Sequence, residues 1–299
     1  MFHDLALIYA DHAALFAGSV FLLGLLVGSF LNVVVFRLPV MLDLEWRAQA
    51  AELLGQPATP RAPFNLVRPR SACPACHVQI TAWQNIPLVS WIVLRARCHA
   101  CGAKISARYP LVELATGVLS AWVAWHFGVS VATACALVVT WCLIALAAID
   151  IDTQLLPDGI TLPLMWAGLL ASVLIGPAVG APLPVSSADA IAGAAAGYLS
   201  LWLMFHAFRL ITGKEGMGYG DFKLYAALGA WLGWRVLPLV ILLAAASGAL
   251  IGIAMIVLRG RDRAAPMPFG PYLAIAGWIS MLYGKSLIDD YFQLAGIGR

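Results

Sequence analysis

The chain alternates long runs free of charged residues with short polar breaks. Such runs cover residues 13–36, 114–149, 159–188, 190–208, 236–258 and 264–284. Roughly 20 apolar residues cross a bilayer as a helix, so several of these runs are whole spans. As one helix the 114–149 run would extend roughly 54 Å at about 1.5 Å per residue, too long for one crossing. The segment Phe127-Gly-Val-Ser130 offers a break, and two helices are expected. The 159–188 run ends in a stretch from Gly176 to Pro184 rich in Gly and Pro, which reads as a turn between spans. Leu224 to Trp234 is too short alone, so its helix must begin near Gly220 and carry Asp221 and Lys223 in its first turn. The pattern predicts an all-α polytopic membrane protein with about eight transmembrane helices.

Composition agrees. Hydrophobic residues make up 62% and charged residues 11%, with a mean hydropathy of +0.88, against about 25% charged in soluble domains. A soluble globular class is excluded. The first run lacks a basic flank and a small-residue cleavage site, so it is expected to remain as the first helix.

One polar insert stands out. Between Arg37 and Arg108 lie nine of the 18 Lys and Arg residues, against Asp43, Glu45 and Glu52. Basic loops stay cytoplasmic, which puts this insert inside and, by alternation, also the loops near Gln154, near Lys214 and from Arg259 to Arg263. Both termini then face the periplasm. The expected division is 1–37 as N-terminal region and first helix, 38–108 as a cytoplasmic metal-binding domain, and 109–299 as a membrane core of about seven helices.

The insert holds Cys73-Pro-Ala-Cys76 and Cys98-His-Ala-Cys101, two C-x2-C pairs separated by 21 residues. Each pair grips one ion from a tight turn, and two pairs complete a tetrahedral thiolate shell without an open position. That suits a structural zinc. A disulfide or redox pair is the weaker reading in a reducing compartment. His77 and His99 read as solvated. Cys135 and Cys142 read as small core residues.

Charged groups at membrane depth are costly, so carboxylates there are functional candidates. Asp150 ends the third helix at the cytoplasmic edge, Asp152 and Asp158 follow it, and Asp221 opens the sixth helix at the same edge. Asp150 and Asp221 can therefore meet and share a proton, as in aspartic proteases. Gly218 and Gly220, lacking a Cβ, would let a substrate backbone or a helix approach the acid. The plainer alternative makes Asp221 a helix N-terminal residue paired with Lys223 or Lys214, and Asp158 a helix start after Pro157. Glu113 reads as an interfacial or structural acid. The Gly216-x-Gly-x-Gly220 stretch imitates a nucleotide or adenosylmethionine loop, but no βαβ unit surrounds it. No nucleic acid is expected as a partner.

These residues, in this order, resemble the type IV prepilin peptidases. The resemblance runs through Gly28-Ser-Phe-Leu-Asn-Val-Val-Val-Phe-Arg-Leu-Pro39, the four cysteines, Asn85-Ile-Pro-Leu-Val-Ser90 and Arg108-Tyr-Pro-Leu-Val-Glu-Leu-Ala-Thr116. It continues in Ile149-Asp-Ile-Asp-Thr-Gln-Leu-Leu-Pro-Asp158, Glu215-Gly-Met-Gly-Tyr-Gly-Asp-Phe-Lys-Leu224 and Pro268-Phe-Gly-Pro-Tyr-Leu-Ala274. It implies a G-x-G-D aspartic endopeptidase of the bacterial inner membrane, serving type IV pili or type II secretion. Asp150 and Asp221 match the family's catalytic acids, and Asp152, Asp158, Gly218, Gly220 and Lys223 become candidates for supporting roles. The implied partners are the bilayer and the basic leaders of prepilins and pseudopilins, cut after a glycine that precedes an apolar helix. The resemblance also implies N-methylation of the new N-terminus from S-adenosylmethionine, although Arg95-Ala-Arg97 stands where the family often has small residues.

Three competing readings are a presenilin-like protease, a transporter and a non-enzymatic secretion platform. The metal insert argues against the first. Acids at one membrane edge argue against the second. The third leaves Asp221 and its glycines without a role.

Overall fold

The computed structural model describes residues 9–56, 63–176, 183–214, 216–259 and 267–296. The expected turn from Gly176 to Pro184 and the basic loop after Arg259 fall largely outside them. The described residues form helices and no strands. Eight are long: α1 (Ala13–Leu53), α3 (Arg108–Phe127), α4 (Val131–Thr153), α5 (Asp158–Leu174), α6 (Ser187–Thr212), α7 (Tyr219–Leu232), α8 (Leu237–Arg259) and α9 (Gly270–Leu294). A five-residue α2 (Val89–Val93) lies inside the polar insert. Of these, α1, α4, α6 and α8 are each long and apolar enough to cross a membrane.

The break in the 114–149 run falls where expected. Ser130 caps α4, its hydroxyl accepting the Thr133 N–H at 3.2 Å. One boundary differs. The first helix does not end at Arg37 but continues through Pro39 to Leu53. Proline is tolerated there because neighbouring turns keep their hydrogen bonds, and the polar residues after it retain helix propensity.

The helices separate into two compact units, Met1–Trp125 and His126–Arg299. In the first, α1 and α3 meet through small residues spaced four apart. A Cβ on Gly24 would lie 2.9 Å from the Gly117 Cα, and one on Gly28 would lie 2.7 Å from the Glu113 Cα. Asn32, the next residue on that face, donates to the Tyr109 carbonyl at 3.1 Å. Small residues at such spacing let helix backbones touch in a medium where apolar burial alone gives no drive.

The second unit is built around α7. Every residue from Asp221 to Leu232 except Lys223 is buried. Helix α6 reaches this core backbone to backbone: a Cβ on Gly193 would overlap the Gly229 carbonyl, and one on Gly197 would lie 2.6 Å from the Tyr225 carbonyl oxygen. The polar atoms that α7 carries inward are satisfied. Trp231 Nε1 donates to the Leu164 carbonyl at 2.8 Å, and Tyr225 Oη to the Leu237 carbonyl at 2.6 Å.

A leucine at Gly193 must push α6 off α7. The expected cost is at least about 1–3 kcal/mol, the usual range for overpacking. Thermal unfolding in detergent should show the Gly193→Leu midpoint several degrees below that of the parent; an unchanged midpoint would mean that the two helices do not need this approach.

Candidate active site

Three helix ends converge in the second unit: the end of α4, the start of α7 and the start of α9. Asp150 sits one turn from the end of α4. Its backbone carbonyl accepts the Gln154 N–H at 2.9 Å, and Gln154 closes the helix in the left-handed region at φ 55°. Asp221 is the third residue of α7. Its Oδ2 accepts the Gly218 N–H at 3.3 Å while its own N–H donates back to the Gly218 carbonyl at 3.2 Å. This reciprocal cap holds the side chain over the helix start.

Both acids are buried, with 5% of Asp150 and 7% of Asp221 exposed. They are close enough for the Asp150 charge to act on Asp221. Neither carries a cation as partner among the described residues. Lys223, one candidate partner for Asp221, instead holds both carboxylate oxygens of Asp158 at 2.7 Å. That bridge ties the start of α5 to α7 at an exposed position, where it contributes about 0–1 kcal/mol. Asp158 itself begins α5 directly after Pro157, as its sequence context predicts. Asp152 is exposed.

Two residues in this cluster carried no assigned role in the sequence. Gly270 opens α9 and donates its N–H to Asp150 Oδ2 at 2.9 Å. Leu156 fills the space between the two acids' supports: a Cβ on Gly220 would lie 2.7 Å from its Cβ, and one on Gly270 would lie 3.1 Å from its Cδ2. The Pro-Phe-Gly-Pro stretch around Gly270 was the visible signal, since a Gly-Pro pair marks a turn and a helix start. What it approaches lies 120 residues away. The glycines before Asp221 also have structural uses: Gly216 packs on the Phe208 ring, Gly218 caps α7 and Gly220 meets Leu156.

A second cluster lies in the first unit. The four thiols of Cys73, Cys76, Cys98 and Cys101 lie within 4.8 Å of one another and can hold a metal ion. Cys73 and Cys101 Sγ are 3.9 Å apart, and Cys76 and Cys98 Sγ are 4.0 Å apart. A tetrahedral thiolate shell at about 2.3 Å requires sulfurs about 3.8 Å apart, so the set fits a closed four-sulfur site. No disulfide joins them.

The two knuckles repeat each other 25 residues apart. The Cys73 N–H donates to Val78 and the His77 N–H to Cys73; the Cys98 N–H donates to Ala103 and the Gly102 N–H to Cys98. His77 occupies the left-handed position, φ 58°, that Gly102 fills in the second knuckle at 72°. Amide N–H groups of Cys76 and Ala75 pull the Cys73 thiol down to about 6, and those of Cys101 and Ala100 lower Cys98. Cys76 goes the other way: the Val78 N–H lowers it, but burial and the three neighbouring thiols together push it up to about 11, so the amides favour the metal-binding thiolate at Cys73 and Cys98 only. Nearby, the buried Glu113 carboxylate accepts the Leu88 N–H at 2.9 Å where α2 begins. The structural reading of that acid holds.

Comparison with known proteins adds two family matches. Residues 22–127 match the bacterial peptidase A24 N-terminal domain, and residues 137–253 match the type IV leader peptidase family. The chain is 53% identical over 287 residues to a prepilin leader peptidase/N-methyltransferase of Stutzerimonas stutzeri, covering 96% of this chain and 97% of that one. The protein of the same name from Pseudomonas aeruginosa is 54% identical over 288 residues, with the same shares covered. That of Neisseria gonorrhoeae is 51% identical over 259 residues, covering 86% and 87%. No solved structure matches.

Proposed function

The chain belongs to the type IV leader peptidase family, and from that premise we propose that it removes prepilin and pseudopilin leaders by aspartic chemistry at Asp150 and Asp221. The observation that carries this reading is two buried carboxylates from helices distant in sequence, each held by one backbone N–H, with the Asp150 charge acting on Asp221 and no cation as partner of either among the described residues. One carboxylate takes a proton from water as the water oxygen bonds the scissile carbonyl carbon. The other, protonated, donates a hydrogen bond to the carbonyl oxygen. As the carbon–nitrogen bond breaks, a proton passes to the leaving amine, and no covalent intermediate with the enzyme forms.

By the distribution of basic residues, the site faces the cytoplasm from the inner membrane and both termini face the periplasm. A basic leader would stay in the cytoplasm while the apolar helix behind the scissile bond remains in the bilayer. The insert 38–108 is the metal-binding domain, its first residues continuing α1, and 109–299 is the peptidase core. Cys73, Cys76, Cys98 and Cys101 hold a structural zinc, which when bound staples the two knuckles and takes no part in proteolysis. Asp152, Asp158, Gly218, Gly220 and Lys223 support the site without touching the reacting atoms.

After cleavage the new N-terminus is methylated from S-adenosylmethionine, a step attributed to the side of the molecule that carries the metal-binding insert. The Gly216–Gly220 stretch is occupied by capping and packing and is not offered as a cradle for that donor. Intact mass of a model prepilin, incubated with the protein and S-adenosylmethionine in detergent, tests the reading. Loss of the leader plus the mass of one methyl group is expected. Loss of the leader alone would remove the methyl transfer, and an uncut prepilin beside folded protein would overturn the proposal.

A further inference from the structure

Asp150 has two carboxylate oxygens, and the fold treats them differently. Oδ2 is held by the Gly270 N–H at 2.9 Å in a buried contact. A carboxylate so anchored cannot swing about its Cα–Cβ bond without giving up that bond, and Oδ1 is the oxygen left for water. The anchor comes from the first residue of a 25-residue helix, so the start of α9 sets where the acid points. Because an N–H at a helix start lacks a partner within its own helix, Asp150 also satisfies a donor that burial would otherwise leave costly.

The approach that makes this bond leaves no room for a side chain. A Cβ on residue 270 would lie 2.6 Å from Asp150 Oδ2, 3.1 Å from Asp150 Cγ and 3.1 Å from Leu156 Cδ2. It would strike the carboxylate directly and strike the residue that spaces Asp150's support from Asp221's. Resting on the reading that Asp150 is catalytic, we infer that Gly270 is a positioning residue of the peptidase, aiming Asp150 Oδ1 at the attacking water through its N–H and through its lack of a Cβ.

Another glycine on the same helix supplies the control. A Cβ on Gly277 would lie 2.6 Å from Leu228 Cδ2 and 2.7 Å from Leu228 Cδ1. The crowding is comparable, but it falls on an apolar side chain of α7 two turns beyond Asp221. Gly277→Ala should therefore lower stability as Gly270→Ala does, without moving a reacting atom.

The experiment is steady-state cleavage of a model prepilin by the full-length protein in detergent, with thermal unfolding of each variant alongside. Gly270→Ala is expected to lower kcat about 100-fold, the scale of a misplacement near 1 Å, with KM within about threefold. Gly277→Ala is expected to keep kcat within about twofold once corrected for folded fraction. Equal kcat losses in the two variants, or a Gly270→Ala loss seen only in KM, would overturn the inference. Asp150→Asn separates it from its premise: an active Asp150→Asn would sink the catalytic reading itself, whereas an inactive Asp150→Asn beside a fully active Gly270→Ala would sink only the positioning role. Should Gly270→Ala fail to fold, Gly270→Ala combined with Leu156→Ala clears the contact with Leu156 while keeping the one with Asp150. The double variant must then show the same fall in kcat, and normal turnover by it would equally refute the role.

Discussion

Asp221→Asn leaves the leader of a model prepilin uncut, with kcat/KM lowered on the order of 10⁴-fold, the upper range for a lost acid–base group. The substitution is conservative where the fold is concerned. An amide oxygen can still accept the Gly218 N–H that Asp221 Oδ2 accepts at 3.3 Å, so the start of α7 keeps its cap and thermal unfolding should change little. What asparagine cannot do is share or transfer a proton with Asp150. A second readout separates the two activities: given a peptide already lacking its leader, Asp221→Asn should methylate it at the parent rate. Cleavage by Asp221→Asn at a tenth of the parent rate or more would take Asp221 out of the chemistry. Asp158→Asn makes the contrast, since its exposed bridge to Lys223 contributes about 1 kcal/mol at most and cleavage should persist.

The proposed pairing of Asp150 with Asp221 came from the rarity of charge in apolar runs and from the alternation of expected spans, and the structure buries both acids with the Asp150 charge acting on Asp221. The same argument could not reach Gly270. A backbone N–H has no signature in a sequence, and a Gly-Pro pair marks a turn and a helix start without naming what lies against it. Leu156 was hidden for a related reason: one apolar residue among many in the chain, it matters for its position between Gly220 and Gly270. Lys223 was misjudged as a candidate partner of Asp221 because proximity along a helix is visible and the start of α5 beside it is not. The far end of α1 was not legible because hydropathy marks only where the charge-free run stops, before Arg37, while sixteen residues after Arg37 remain helical. The cysteine spacing, by contrast, specified its geometry almost completely, since two residues between ligands leave few ways to bring both sulfurs to one ion.

The metal-binding segment should not hold its shape without its ion. Among residues 63–107 only Cys73 and Pro87 are buried, and isolated bridges at Ala72–Gln79 and Arg97–Lys104 are its only β pairings. A segment with so little apolar burial cannot offset the entropy of ordering its backbone. Four thiolates closing on one ion can, because structural zinc contributes on the order of 10 kcal/mol to sites of this kind. Cys73→Ser combined with Cys98→Ser is therefore expected to lose the one zinc per chain that elemental analysis of the parent should find. Limited proteolysis should then cut between residues 72 and 104 while the 126–299 unit stays intact. Because Asp150, Asp221 and Gly270 all belong to that second unit, cleavage should survive better than methyl transfer. A metal-free variant with a protease-resistant insert would show that the knuckles fold without zinc, and equal loss of both activities would count against assigning them to different parts of the chain.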